Sequence, residues 1–299
     1  MKQIPFKGSC VAIVTPFDET GVNFPELGRM IDDQIKNHTD AICITGTTGE
    51  AATMNDAEHK AAIKFTVEHV AGRVPVIAGT GSNDTAYAIE LSRYAESVGV
   101  QAVLLVTPYY NKCTQAGLVA HYLKIADSIN TPVILYNVPG RTGVDIKPES
   151  YFKLSKHPRI VAAKEANGDL TSILRTRKLC GDDLAIYSGN DDQTIPILSL
   201  GGVGVISVLS NVAPYDTHMI CQNYFDGKID EASHMQIDYC DLIDALFCEV
   251  NPIPVKVAMR LLGWNVGELR MPLCEPEPKH LEQIKAALKA HGLLKEEAI

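Results

Sequence analysis

The sequence predicts an α/β protein whose parallel strands close into a (β/α)8 (TIM) barrel, followed by a C-terminal helical extension. Three observations predict this: apolar, β-branched runs recur at near-regular spacing, amphipathic helical stretches separate them, and the rhythm stops near residue 226. The runs are "VAIVTPF" from 11, "AICITG" from 41, "VPVIAGT" from 74 and "AVLLVTP" from 102. They continue with "PVILYN" from 132, "IVAAKEA" from 160, "LAIYSGND" from 184 and "VGVISV" from 203, the starts lying 30, 33, 28, 30, 28, 24 and 19 residues apart. Runs without polar alternation suit parallel strands buried on both faces. Eight strand–helix units of this size make a barrel. An open doubly wound sheet is the runner-up, but no GxGxxG follows the first run.

The elements between the runs read in order. "NDAEHKAAIKFTVEHVAG" at 55–72 is helical and opens on Asn55 with Glu58 three residues later, a capping-box pattern. "NDTAYAIELSRYAESVG" at 83–99 is a second such helix. The longest uncharged run, Gln193 to Tyr215, contains Pro196, Gly201, Gly202, Gly204, Asn211 and Pro214. It therefore reads as a helix and a strand inside a core, not as a membrane span. "IDEASHMQIDYCDLIDALFCEV" and "PKHLEQIKAALKAHGLLKEEA" are helical with no strand between them. The expected division is a catalytic barrel over 1–226 and a helical extension over 227–299 that packs on it.

Composition narrows the partners. The apolar fraction of 46% and charged fraction of 21% are those of a globular protein, and the net charge is −9. An acidic chain lacks the basic face that nucleic acid and anionic membranes require, so neither is an expected partner. "MKQIPFKGSC" has no apolar core for a signal peptide, and the eight cysteines are scattered without a CxxC. Reduced thiols and a cytoplasmic location are expected. The nine histidines form no HxH or HExxH, so neither a metal nor any other cofactor is expected.

Catalytic groups of a barrel gather at the C-terminal ends of its strands. Those ends read "GTTGE", "TPYYN", "YNVPGRTG", "KEANG", "SGNDD" and "ISVLSN". Lys164 ends a buried strand. Burial disfavours an ammonium ion, and a lysine at a barrel mouth can present a free amine that attacks a ketone. The plainer reading is an ion pair with Glu165, but adjacent strand residues face opposite sides. Tyr136 ends the neighbouring strand and can carry a proton to or from the amine, although a buried tyrosine is more often simply packed. Tyr109 and Tyr110 suit either the site or a subunit contact. Thr47 and Thr48 can bind a carboxylate, relay protons or cap the next helix. Arg141 suits a bidentate carboxylate contact, though a loop arginine is usually solvated. The glycines of "SGND" and "GGVG" carry only a weak phosphate signal.

"GTTGE", "TPYYN", "YNVPGRTG", "KEANG", "SGNDD", "GGVGVISV" and "NPIPVKVA" occur together in this order. On these motifs the whole chain resembles the dihydrodipicolinate synthase family, within the pyruvate-dependent class I aldolases that include N-acetylneuraminate lyase. The resemblance implies a homotetramer of two tight dimers. It also implies condensation of pyruvate with L-aspartate-4-semialdehyde to 4-hydroxy-tetrahydrodipicolinate, the first step of the diaminopimelate route to lysine. Lys164 then resembles the Schiff-base lysine and Tyr136 its proton carrier, with Thr47 and Tyr110 completing the relay. Tyr109 matches a tyrosine that crosses the dimer interface. Thr48 resembles the pyruvate-carboxylate contact, Gly189 and Ile206 line the site, and Arg141 resembles the residue holding the second substrate's carboxylate. Sialic acid lyases typically lack that arginine and tend to have Ser-Thr where this chain has Thr47 and Thr48, which favours the synthase. A sugar-acid aldolase is the runner-up, and a catalytically silent binding barrel the remote alternative.

The family's regulated members bind lysine at the tight-dimer interface. Ala51, Ala52, His59, Asn83 and Tyr109 occupy matching positions, but Tyr87 stands where those members have a glutamate, and Asp56 where a histidine is common. A neutral phenol offers no full counter-charge to a desolvated ammonium. Asp56 and Asp84 are the acidic residues able to restore one. Weak or absent inhibition by lysine is the expectation.

Overall fold

In the computed structural model, which describes residues 2–294, eight parallel strands close into a barrel. They are β1 (Gly8–Ala12), β2 (Ala41–Ile44), β3 (Val76–Gly79), β4 (Ala102–Val106), β5 (Val133–Asn137), β6 (Ile160–Glu165), β7 (Ala185–Ser188) and β8 (Gly204–Ser207). Each pairs with its chain neighbours, and β1 closes the ring by meeting both β2 (Cys10↔Ala41) and β8 (Cys10↔Ile206). Seven strands lie within their apolar runs. The first does not: its run begins at Val11, but pairing begins at Gly8 opposite Gly204. A Cβ on Gly204 would strike the Gly8 backbone, so Gly204 permits an approach that hydrophobicity alone does not signal.

Alternation sorts the strand residues into two cores. Val11, Ile42, Ile44, Val103, Leu105 and Leu135 point outward and join the helices in one cluster. Cys10, Ala12, Ala41, Cys43, Ala102, Ala162 and Ile206 form a separate cluster inside the ring. These alanines and cysteines lie among larger side chains such as Ile77, Leu104, Ile134 and Tyr136. The opposite end is closed by Phe6, which stacks on Tyr187 at 4.3 Å between centroids and accepts that tyrosine's hydroxyl at its carbonyl, 2.6 Å away.

Around the strands run α1 (Phe24–Lys36), α2 (Asp56–Val70), α3 (Thr85–Val98), α4 (Gln115–Asp127), the short α5 (Pro139–Thr142), α6 (Pro148–Leu154), α7 (Leu170–Cys180), α8 (Thr194–Ser199) and α9 (Pro214–Phe225). The expected capping box is present: the Asn55 side chain accepts from Glu58 N at 3.0 Å, and Glu58 accepts from Asn55 N at 3.1 Å. The uncharged run from Gln193 resolves into α8 and β8, as expected. Among the described residues no helix is long and apolar enough to cross a membrane.

Beyond Asp226 come α10 (Ile229–Asp238), α11 (Cys240–Leu246), α12 (Ile253–Leu261) and α13 (Pro278–Ala290). Leu242, Leu246, Val255, Ile284 and Leu288 are fully buried and belong to the same cluster as the outward strand residues. Each such side chain contributes roughly 1.5–3 kcal/mol by leaving water. Among the described residues, the extension shares the barrel's core and has none of its own. Residues 295–299 of the expected extension lie outside the described residues.

Candidate active site

Lys164 lies on β6 directly opposite Tyr136 of β5 and Tyr187 of β7. Its side chain is buried, and its Nζ sits 4.4 Å from the centre of the Tyr136 ring. Gly189, just past β7, makes the space: a Cβ there would come within 3.2 Å of Lys164 Cε and 2.8 Å of Ala166 Cβ. Glu165 turns the other way. Its carboxylate accepts from Tyr151 Oη at 2.8 Å, Asn137 Nδ2 at 2.9 Å and Asn167 N at 3.1 Å, on the helix side of the strand. Burial nevertheless pushes that carboxyl up to about 8. The ion pair of the plainer reading is therefore not formed, and the lysine faces the lumen apart from its neighbour.

Tyr136, but not Lys164 itself, lines a cavity of about 460 Å³. Thr47, Tyr136, Val138 and Arg141 line it together with Ala51, Ala52, His59, Tyr87 and Tyr109. The loop carrying Thr47 is held tightly. Thr45 is left-handed at φ +53, and a Cβ on Gly79 would strike its carbonyl, so Gly79 lets the loop rest on β3. Glu50, also left-handed, closes the "GTTGE" turn and accepts from Lys256 of α12 at 2.7 Å; neither side chain is exposed. Glu50 also accepts from Arg270 N at 3.0 Å. Asp191 pins the end of β7 to that of β8 by accepting from Val208 N and Leu209 N, each at 3.0 Å.

The structure brings most of the expected residues to this end of the barrel. Thr48 is buried, and its hydroxyl accepts from Asn251 Nδ2 at 3.0 Å. Arg141, at the end of α5, donates to the Asn251 carbonyl at 3.0 Å. Ile206 is fully buried on β8. Tyr110 is the exception in its exposure: it is 92% exposed and sits at φ +69, and like the buried Lys164, Thr48 and Ile206 it is not among the residues lining the cavity. Sequence reasoning assigned no role to Asn251 or Lys256. The signal was a polar residue at each of two positions in the otherwise apolar "NPIPVKVA".

Of the residues matched to a lysine effector, Ala51, Ala52, His59, Tyr87 and Tyr109 line the same cavity, and Asp56 and Asn83 do not. His59 Nε2 donates to the Gly79 carbonyl, 2.9 Å away, and burial pushes its imidazole below the usual range. Tyr87 donates to Asp56 at 3.1 Å, and Asp56 also pairs with Lys60 at 2.8 Å. Asp84 is taken up in capping α3, accepting from Ala86 N at 2.8 Å. Asn83 donates to the Tyr109 carbonyl at 3.1 Å.

Such a site can form an imine: an amine in a dry wall, a phenol beside it, and hydroxyl and guanidinium donors for anionic groups. Comparison with known proteins agrees. The model of the dihydrodipicolinate synthetase family matches residues 5–291. The chain is 56% identical over 290 residues to a 4-hydroxy-tetrahydrodipicolinate synthase of Clostridium perfringens, covering 97% of this chain and 100% of that one. The structure of dihydrodipicolinate synthase from Aquifex aeolicus is similar at a TM-score of 0.95 and 40% identity, covering 98% of this chain and 100% of that one. The chloride-inhibited synthase from Acinetobacter baumannii, complexed with pyruvate, is similar at a TM-score of 0.94 and 40% identity, over 96% of this chain and 99% of that one.

Proposed function

The chain belongs to the dihydrodipicolinate synthetase family, and on that premise we propose how its residues carry out the reaction. The activity is the family's: a Schiff-base-forming lyase of the class I aldolase type that condenses pyruvate with L-aspartate-4-semialdehyde. The Lys164 amine attacks the ketone carbon and water leaves, giving a protonated imine. Loss of a methyl proton gives the enamine, whose carbon attacks the aldehyde, and the new alkoxide takes up a proton. The product's own amine then displaces Lys164 from the imine carbon, closing the ring as 4-hydroxy-tetrahydrodipicolinate.

One observation carries the assignment of Lys164: its buried Nζ stands 4.4 Å from the ring of Tyr136, on the paired strand, and Tyr136 lines the cavity. Tyr136 moves the protons, with Thr47 beside it. Thr48 binds the pyruvate carboxylate and Arg141 that of the semialdehyde, while Gly189 and Ile206 shape the wall. The exposure of Tyr110 supports a relay completed across an interface, by the tyrosine of a neighbouring copy. The assembly is then a homotetramer of tight dimers, with Tyr109 at the tight interface. Eight unpaired cysteines support a reducing, cytoplasmic setting. The 226/227 boundary separates barrel topology from the added helices.

Borohydride reduction in the presence of pyruvate tests the assignment. The peptide containing Lys164 is expected to gain the mass of a reduced pyruvyl group, and Lys164→Ala to lose both adduct and nearly all turnover. An unmodified wild-type protein refutes it. Faster turnover of N-acetylneuraminate than of the semialdehyde reaction would move the chain to the N-acetylneuraminate lyases.

A further inference from the structure

Asn251 lies in the turn before α12, in the extension, yet reaches two side chains of the barrel mouth. Its Nδ2 donates to Thr48 Oγ1 at 3.0 Å, and its main-chain carbonyl accepts from Arg141 Nη2 at 3.0 Å. The residue is 6% exposed, and its Oδ1 has no partner among the described residues.

The direction of the first bond has a chemical consequence. A threonine hydroxyl has one proton and two lone pairs. The amide N–H fills a lone pair, so the proton stays free to be donated elsewhere. A carboxylate accepts only. The opposite amide orientation would take the hydroxyl's proton and present a lone pair to the anion, which repels it. The second bond fixes the guanidinium by one edge and leaves its remaining N–H groups for a second carboxylate.

We infer that Asn251 is a positioning residue for both substrates: its side-chain amide makes the Thr48 hydroxyl a donor toward pyruvate, and its carbonyl steadies Arg141 toward the semialdehyde. This rests on the roles given above to Thr48 and Arg141. The two tasks are carried by different atoms, so side-chain substitution separates them. Removing the amide loosens Thr48 and leaves the main-chain contact to Arg141 in place.

Steady-state kinetics with both substrates tests this on wild type, Asn251→Ala, Asn251→Asp, Thr48→Val and the Thr48→Val/Asn251→Ala double variant. Loss of one neutral hydrogen bond is expected to raise the KM for pyruvate roughly three- to tenfold in Asn251→Ala. The KM for the semialdehyde should change by less than about twofold, because the bond to Arg141 remains. Asn251→Asp, nearly isosteric, accepts the Thr48 proton and adds a negative charge, so its pyruvate KM should rise further. The double variant should bind pyruvate no worse than Thr48→Val alone. Should Asn251→Ala fail to fold, Asn251→Asp carries the same comparison between the two substrates. Equal losses toward both substrates, or additivity with Thr48→Val, overturn the inference. A wild-type protein that traps no pyruvate defeats the catalytic reading itself. One that traps it, with variants of unchanged pyruvate KM, defeats only the role of Asn251.

Discussion

Lys164 and Glu165 are neighbours in sequence and belong to different environments. The lysine faces the lumen, while the carboxyl is held among Tyr151, Asn137 and Asn167 and is pushed up to about 8. An acid whose folded pKa is raised binds its proton more tightly in the folded state. Its contribution to stability is therefore full below the ordinary glutamate value and is lost as pH rises from there through about 8. The loss amounts to a few kcal/mol at most, on the order of 1.4 kcal/mol per pKa unit. Glu165→Gln keeps an acceptor for Asn137 and removes the ionisation. Its melting temperature should fall less between pH 5 and 8 than that of the parent, as about 4 and 8 bracket the titration. Parallel declines in a thermal scan would refute this account. The opposed facing of residues 164 and 165 is legible in the sequence because strands alternate with period two. The bond from Asn251 to Thr48 is not, because the two residues lie 203 positions apart and no local pattern pairs them.

At the scale of elements, α2 and α3 decide how the cavity wall around His59 and Tyr87 meets a cation. Tyr87 on α3 donates to Asp56 at the start of α2, and Lys60 already pairs with that carboxylate. Asp84 is committed to the α3 N-terminus. The acidic residues able to replace the missing glutamate are thus both engaged, and an incoming ammonium would have to compete for them. Initial rates should change little with lysine up to several millimolar. Strong submillimolar inhibition would show that the Asp56–Lys60 pair opens for the ligand. The substitution at 87 was legible from motif position alone, whereas the engagement of Asp56 and Asp84 required the packing of one helix beside the next. β1 shows the converse limit, since its start depends on the missing side chain of Gly204 opposite Gly8 and not on the apolar run.

At the scale of the whole molecule, an exposed Tyr110 makes the single chain an incomplete catalyst under the proposed relay. Lys164→Ala and Tyr110→Phe should each be nearly inactive alone. If the tyrosine serves a neighbouring copy, a hybrid dimer of the two variants contains one site with both native residues. Mixing after mild dissociation and reassembly should then restore up to roughly a quarter of wild-type activity, since about half of random dimers are hybrid and one of their two sites is intact. No recovery in demonstrated hybrids would place Tyr110 in its own chain's site. The barrel rhythm was legible across the chain because each unit repeats one local pattern, but what one copy lends another was not. The Glu50–Lys256 pair carries a different consequence. A lone carboxylate or ammonium left in that fully enclosed position is strongly destabilising, so neither residue can drift to a neutral one by itself. Chimaeras that join this barrel to a relative's last helices will succeed only where the pair is kept, which makes the "GTTGE" turn and α12 a single unit of inheritance.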